Sequence, residues 1–386
     1  MGLPKVVIFR VSRIYYFKGG KIMLDNSKTF ADLQNEFKQL LSSITALDEG
    51  AMTSIQERLD SLTKPQGSLG QLEIIVKQLG GIQQTAHPKI NKKAVLLMAG
   101  DHGVVAESVS AFPQEVTPQM VYNFLNGGAA INVLTRQAGA EVICTDVGIA
   151  FPLEPAELMR RRVANGTKNM TKGPAMTPTE ALQALLVGAE VAREAIAGGV
   201  NLLATGDMGI GNTTPSSAIV AFYSKLPISD VVGRGTGIDD AGLILKQNVI
   251  KQALEINNPD PEDALDVLAK VGGLEIAAIA GAILEAAAKR VPIIIDGFIS
   301  TAGAIIAAKL CPLSNAYMIP SHGSVEIGHR AALQLLGLEP MLNLNMRLGE
   351  GTGAALSFHL VEASIHILEE MATFADAGVS EKNDQD

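Results

Sequence analysis

Asn201-Leu202-Leu203-Ala204-Thr205-Gly206-Asp207-Met208-Gly209-Ile210-Gly211-Asn212-Thr213-Thr214-Pro215 is the stretch on which the fold turns. Its first five residues form a continuous apolar run, too short for a helix, the pattern of a strand covered on both faces. Glycines and small polar residues follow, with Thr214 placed to cap a helix and Pro215 to open its first turn. A strand, a glycine-rich turn and a helix in that order make the repeating unit of a parallel α/β sheet.

The unit recurs on both sides. Ala94–Ala99, Glu141–Asp146, Val291–Ile295 and Ala316–Ile319 are further apolar runs, so with Asn201–Thr205 the chain predicts five strands. Most end in glycine-containing or charged turns: Gly100-Asp101-His102-Gly103, Asp146-Val147-Gly148, Gly206-Asp207, Asp296-Gly297 and Ser321-His322-Gly323. Thr177-Pro178-Thr179-Glu180 combines a capping box with a first-turn proline, which predicts a helix through Ala181–Ala197 stopping at Gly198-Gly199. Asp260-Pro261-Glu262-Asp263 opens another, through Val267–Val271, with a Gly272-Gly273 break before a helix that reaches Arg290. This alternation predicts a doubly wound, mainly parallel α/β domain over residues 91–349, with its site at the carboxyl ends of the strands.

The helical region from Phe30 to Gln84 and a closing helix from about Thr352 to Phe374 fall outside the alternation. They are expected to pack together as a smaller helical domain built from residues 26–90 and 350–375. Residues 376–386 read as a polar, disordered tail. Residues 1–25 read as an extension outside the fold, with Met23 as an alternative start. The run Val6-Val7-Ile8-Phe9 is cut by Arg10 and Arg13, and it lacks the length and cleavage site of a signal peptide.

A chain of 386 residues with 47% hydrophobic and only 18% charged content buries much of itself in a core or a subunit interface. Its balance of 31 basic and 40 acidic residues, with 4% aromatics and no Trp, gives no basic stripe or stacking platform, which excludes nucleic-acid binding. Cys144 and Cys311 lie far apart in apolar runs and read as reduced core residues of a cytoplasmic protein. The most apolar helix, Ile276–Ala288, is interrupted by Glu285 and bounded by Lys289 and Arg290, so it is a core helix and not a membrane span.

Chemistry concentrates in the turns. The Gly206–Pro215 loop suits a phosphate cradle at a helix start; the plainer reading is a ligand-free connection. It is not a Walker loop, and the chain offers no dinucleotide fingerprint. Gly233-Arg234-Gly235-Thr236-Gly237 is a second such loop, in which Arg234 faces either a phosphate or solvent, and Lys246 is open in the same way. Asp101, His102 and His322 lack the spacing of a metal site, and no nucleophile elbow surrounds Ser321 or Ser324. Leu348-Gly349-Glu350-Gly351-Thr352-Gly353-Ala354 sets one carboxylate between glycines at a helix entry. That placement suits a general base held by unpaired helix N–H groups, or else a solvated Glu in an entry turn.

Taken in order, these turns resemble a known family. Lys64-Pro65-Gln66-Gly67-Ser68-Leu69-Gly70-Gln71-Leu72-Glu73, Ala99-Gly100-Asp101-His102-Gly103-Val104, Met208-Gly209-Ile210-Gly211-Asn212-Thr213-Thr214, Asp296-Gly297-Phe298, Ser321-His322 and Met346-Arg347-Leu348-Gly349-Glu350-Gly351-Thr352-Gly353 are similar to the nicotinate-nucleotide:dimethylbenzimidazole phosphoribosyltransferases of cobalamin lower-ligand assembly. The match runs from about Ser61 to Phe374.

The resemblance implies a Rossmann-like large domain, a small domain built from both chain ends, and a homodimer; the transfer chemistry it implies requires no metal, and no cofactor is expected. It implies transfer of 5-phosphoribose from nicotinate mononucleotide to 5,6-dimethylbenzimidazole, giving α-ribazole 5′-phosphate and nicotinate. Glu350 falls at the family's catalytic base. Asp207 stands where the family commonly has Glu, and a carboxylate one methylene shorter is expected to contact the base or ribose.

Phosphate contacts are expected from Gly209, Gly211, Asn212, Thr213, Thr214 and Gly235, with Lys246 and Ser324 as further candidates. Phe112 and Met120 are expected to shape the pocket of the acceptor base, whose identity the sequence leaves open. Two rival readings are a nucleoside 5′-phosphate hydrolase and a non-catalytic nucleotide sensor.

Overall fold

The structure, a computed structural model, describes residues 28–151, 153 and 158–380. The expected extension at 1–25, the alternative start at Met23 and the last residues of the expected tail, 381–386, lie outside the described residues.

The chain enters through α1 (Phe30–Ser42), α2 (Glu49–Ser61) and α3 (Gln71–Gln83), then β1 (Lys93–Gly100), α4 (Val116–Leu125), α5 (Ala130–Ala138), β2 (Glu141–Gly148) and β3 (Met159–Arg160). The middle is α6 (Pro178–Ala197), β4 (Leu202–Met208), α7 (Thr213–Ser224), α8 (Asp240–Asn257), α9 (Ala264–Val271) and α10 (Leu274–Ala288). It closes with β5 (Ile293–Ile295), α11 (Phe298–Leu310), β6 (Met318–Pro320), α12 (Ile327–Leu336), α13 (Thr352–Glu370) and α14 (Phe374–Ala377).

The strands form one sheet in the order β3-β2-β1-β4-β5-β6, and every pair is parallel. All five expected strands are present. The sixth, β3, is two residues long and carries no apolar run that a sequence pattern could catch. The central strands also run further than expected, because their glycines and aspartates keep the ladder. Gly206, Asp207 and Met208 pair with Leu97, Met98 and Ala99, so Asp207 belongs to the strand and not to the turn after it.

Alternation along β1 divides the core. Ala94, Leu96 and Met98 face the cluster formed with α6, α10 and α11, while Val95, Leu97 and Ala99 face α3, α5 and α13. Helix α10 is buried from Leu274 to Ala287, as its unbroken apolar sequence requires. No helix among the described residues is long and apolar enough to cross a membrane.

The terminal helices do not all go where the sequence pattern puts them. Thr63 N–H bonds to Ala372 O at 3.1 Å and Leu62 bridges Thr373, so the two ends of the chain meet; Ile55, Leu59, Leu62, Val76 and Leu368 form a small cluster there. Helix α1, expected in the same group, instead lays its stripe of Leu33, Phe37 and Leu40 into the large core, against α6 and α10. At the far end Asp376, expected in a disordered tail, closes a capping box with Thr373 at the start of α14. Helix α13 in turn covers the sheet, with Ala354, Ala355, Phe358 and Val361 in the second core cluster. Its first turn therefore meets the strand ends.

Candidate active site

Neighbouring strands β1 and β4 carry the chain away in opposite directions, one toward β2 and the other toward β5. This is the topological switch point, where a doubly wound sheet opens a crevice at its carboxyl edge. The two loops there touch: a Cβ added at Gly209 would fall 2.1 Å from Gly100 O. Helix α7 starts at Thr213, earlier than the expected cap at Thr214. Asn212 takes the capping position but sends its Nδ2 to Asp207 Oδ2 at 3.0 Å instead. Thr214 N–H is taken by Gly211 O at 3.0 Å, and its side chain is fully enclosed. Thr213 is left as the residue of that turn whose hydroxyl meets a charged group.

One end of the crevice is acidic. Glu350 is 6% exposed, and its Oε2 accepts from Ile131 N–H, 3.4 Å away at the start of α5. Burial raises its pKa above 4.5, the Ile131 N–H opposes this, and the charge of Asp296 adds to the rise. The Glu350 carboxylate thus uses the start of α5. The first turn of α13, where the sequence suggested it would sit, is occupied by Asp296, which accepts from Gly351 N–H at 3.1 Å and Ala354 N–H at 3.0 Å.

Asp207 is buried beside this group; a Cβ at Gly349 would lie 3.2 Å from its Oδ2. Burial, with the charges of Asp296, Glu275 and Glu350, pushes its pKa well above the ordinary 3.8, against the single hydrogen bond from Asn212. Two carboxyls in one crevice are thereby separated: Asp207 resists ionising most, and Glu350 has a helix N–H to hold its charge. Crowded as this end is, no three His, Cys, Asp or Glu side chains among the described residues form a group that could hold a metal ion.

The other end is basic. Lys246, on α8, is fully buried and donates to Thr213 Oγ1 at 2.6 Å. A Cβ at Gly235 would sit 2.7 Å from that oxygen and 3.2 Å from Lys246 Nζ, so the second glycine loop closes over the pair. Burial pushes the lysine down to about 8, against the pull of Glu326. Glu326 itself abuts Gly233, and burial raises its carboxyl while Lys246 and Arg347 hold it down. Arg347 donates to Gly235 O at 3.1 Å, which ties the Glu350 loop to the glycine loop.

A family model described as phosphoribosyltransferase matches residues 44–379. The nicotinate-nucleotide–dimethylbenzimidazole phosphoribosyltransferase of Geobacter metallireducens is 55% identical over 348 residues, 90% of this chain and 99% of that relative. The protein of the same name from Chloroflexus aurantiacus is 56% identical over 343 residues, 89% and 98% of the two chains. A crystal structure of the enzyme from Thermus thermophilus overlays with a TM-score of 0.83 at 47% identity, covering 87% of this chain and all of that one. The chain belongs to this phosphoribosyltransferase family. It is a pentosyltransferase, and the hydrolase and sensor readings are set aside.

In this phosphoribosyltransferase Asp207 and Glu350 come together beside Gly349, while Thr213, Gly235 and Lys246 come together at the start of α7, with Gly209, Gly211 and Asn212 on the stretch of chain between the two groups. The solvated-turn reading of Glu350 is excluded by its burial. Ser324 bonds within its own turn: its N–H donates to His329 Nδ1 at 2.9 Å and its hydroxyl accepts from Glu326 N–H at 3.3 Å. It shapes the turn that aims Glu326. Arg234 turns away to Ile238 O and Asp240, the surface alternative.

Phe112 is exposed on a loop held to Thr236 through Ser110 and the Ala111 N–H. Met120, half-buried on α4, packs against the second core cluster, which also contains Ile131. Sequence reasoning missed Glu326, Arg347 and the role of Asp296. Asp296 and Arg347 both lie in stretches that carry the family resemblance, but an Asp-Gly pair reads as a plain turn and a lone Arg as a surface residue, while Glu326 has no local signal.

Proposed function

We propose that the crevice transfers 5-phosphoribose from nicotinate mononucleotide to 5,6-dimethylbenzimidazole or a related base, for assembly of the cobalamin lower ligand. Glu350 acts as the general base. The observation that carries this reading is a buried carboxylate, gripped by a helix N–H, at one end of a crevice whose other end holds a buried ammonium.

The donor's pyridinium nitrogen already bears positive charge, so nicotinate leaves without a proton. One base therefore suffices, in contrast to the paired carboxyls of ordinary glycosidases. The acceptor attacks the anomeric carbon through one ring nitrogen and gives the proton on its other nitrogen to Glu350. Attack opposite the leaving group turns the β-glycoside into an α-product. Lys246 with Thr213, and backbone N–H groups of the two glycine loops, hold the phosphate. Asp207, whose ionisation is disfavoured by burial and by its acidic neighbours, lies beside the Glu350 loop and contacts the ribose or base. Met120 and Phe112 border the acceptor. A homodimer working in the cytoplasm accompanies this reading, and sedimentation of the purified protein tests the dimer.

Glu350→Gln tests the base. Turnover is expected to fall by about 10²–10⁴, with donor binding and melting temperature kept. Near-normal turnover removes Glu350 from this role. Mass spectrometry of products from a panel of bases then fixes the acceptor.

A further inference from the structure

We propose that Asp296 is the positioning residue of this reaction: from the end of β5 it grips the peptide group that follows Glu350 and so aims the base. The proposal rests on the reading of Glu350 as that base.

Gly349, Glu350 and Gly351 have φ of +82°, +63° and +94°, three successive residues in the left-handed region. Glycine adopts this freely and glutamate does not, so the conformation at Glu350 persists only if its surroundings impose it. The peptide between Glu350 and Gly351 meets the sheet through both of its polar atoms, one by close packing and one by a hydrogen bond. Its oxygen presses on β4, where a Cβ at Gly206 would come within 2.6 Å. Its N–H donates to Asp296 Oδ2 at 3.1 Å. That contact and that hydrogen bond set the peptide against β4 and the end of β5, and the positive φ of Glu350 narrows the directions in which its Cβ can leave the chain.

The second Asp296 oxygen accepts from Ala354 N–H at 3.0 Å, so the carboxylate also caps α13, whose own first turn supplies no side-chain cap. Asp296 is in turn tied to the sheet, its N–H donating to Thr205 Oγ1 at 3.0 Å on β4. The base is thus referenced to two adjacent strands and not to its own loop. Asp296 is 1% exposed and spends both oxygens on backbone N–H groups, which marks it as a holder of Glu350 and not a group that touches substrate.

Its charge has a second consequence. The ionisable groups around Glu350 are Asp207 on β4 and Asp296 after β5; His322, after β6, faces Asp296, and Glu275, on α10, faces Asp207. Helix α5 contributes only the Ile131 N–H. Removing the Asp296 charge therefore lets Glu350 ionise at lower pH, which reports the charge separately from the aim of the base.

The test compares Asp296→Asn, Thr205→Val and Glu350→Gln, each assayed with nicotinate mononucleotide and dimethylbenzimidazole across pH. For Asp296→Asn we expect kcat to fall roughly 10²-fold through misaim of the base. Donor KM should stay within about threefold, since the lysine end is untouched, and the acid limb of kcat/KM should move to lower pH. If Asp296→Asn does not fold, Thr205→Val decides: kcat falls severalfold at unchanged donor KM, and the acid limb stays in place because the charge is kept. Wild-type kcat in either variant overturns the proposal, as does an Asp296→Asn loss that raises KM in proportion and leaves the acid limb where it was. Normal turnover in Glu350→Gln overturns the base assignment itself and is read independently of the other two.

Discussion

Asp207 and Thr213 stand at opposite ends of one connection between β4 and α7, and their surroundings are opposite in sign. Around Asp207 lie Asp296, Glu275 and Glu350, whose charges add to burial in raising the Asp207 pKa. Around Thr213 lie a buried lysine and a glycine loop, and burial there lowers the ammonium to about 8. Burial acts on both ends, yet it favours the neutral form in each, so it sharpens proton affinity at the acidic end and softens it at the basic end. The acidic end is suited to moving a proton in the transition state. The basic end is suited to holding a phosphate through ground state and transition state alike. Damage to the first should therefore appear in kcat and damage to the second in donor KM.

After the loss in Glu350→Gln, the largest effect expected is at the lysine. Lys246→Met keeps the length and apolar stem but removes a charge-assisted contact worth about 1.5–3 kcal/mol. Donor KM should rise roughly 10- to 100-fold by that figure, with kcat changed much less. Initial-rate kinetics with varied nicotinate mononucleotide checks it, and a fall in kcat at constant KM would break the division between the two ends.

The pH profile sharpens the same contrast. In the free enzyme Lys246 is charged below about 8 and neutral above it. Raising pH through 8 therefore weakens donor capture, and kcat/KM for the donor should fall by up to about tenfold per unit beyond that point. On the acid side, if Glu350 is the base as proposed, it has to be ionised to act, and its raised pKa places that limb above the ordinary 4.5. Lys246→Met should remove the alkaline limb arising at about 8 and leave the acid limb. An alkaline limb in that region that survives the substitution would assign it to another group.

How much of this is legible in the sequence follows the range of each interaction. Strands and capped helices are local: the apolar run at Asn201–Thr205 and the box at Thr177–Glu180 announce themselves within a few residues. The Glu350 motif is equally local, because glycines on either side of a carboxylate are a pattern in the chain itself. Lys246 is not. Its burial depends on α8 folding back onto Thr213, 33 residues earlier, and a lone lysine in a helix reads as a surface residue until that packing exists. Asp296 reads as a turn because its partners, Gly351 and Ala354, lie on the far side of α11, β6 and α12. The error over α1 has the same origin. An apolar stripe says that a helix is buried but not against what, and Leu33, Phe37 and Leu40 found α6 and α10 rather than the other terminal helices.

Gly206→Ala probes the acidic end through packing alone. The added Cβ would lie 2.6 Å from Glu350 O and 3.1 Å from Val95 Cγ1, so the Glu350 turn must move away from β4. A methyl forced into a closed contact costs about 1–3 kcal/mol of stability, and a displaced base should lower kcat by about tenfold. Donor KM should hardly change, because Lys246 and Gly235 do not touch Gly206. Thermal melting alongside steady-state kinetics reads both quantities. Loss of stability without loss of kcat would mean that the Glu350 turn tolerates displacement, and would weaken the argument that its geometry is imposed.

The smallest effect is expected at Arg234, which shares its loop with Gly235 and is the residue a reader of the sequence would first assign to a phosphate. Its guanidinium donates to Ile238 O at 2.9 Å and pairs with Asp240, a bridge about half exposed on one side and nearly fully exposed on the other. Such surface pairs contribute roughly 0–1 kcal/mol. Arg234→Ala should therefore leave donor KM within about twofold, with no change in either limb of the pH profile. A cation in a glycine-rich loop serves a ligand only if it points toward it, and in the proposed reading that duty belongs to Lys246 on α8, beside Thr213. A tenfold rise in KM for Arg234→Ala, with Lys246 intact, would mean that the loop reverses its arginine when the donor arrives, and the phosphate would then be shared between two side chains instead of resting on the lysine.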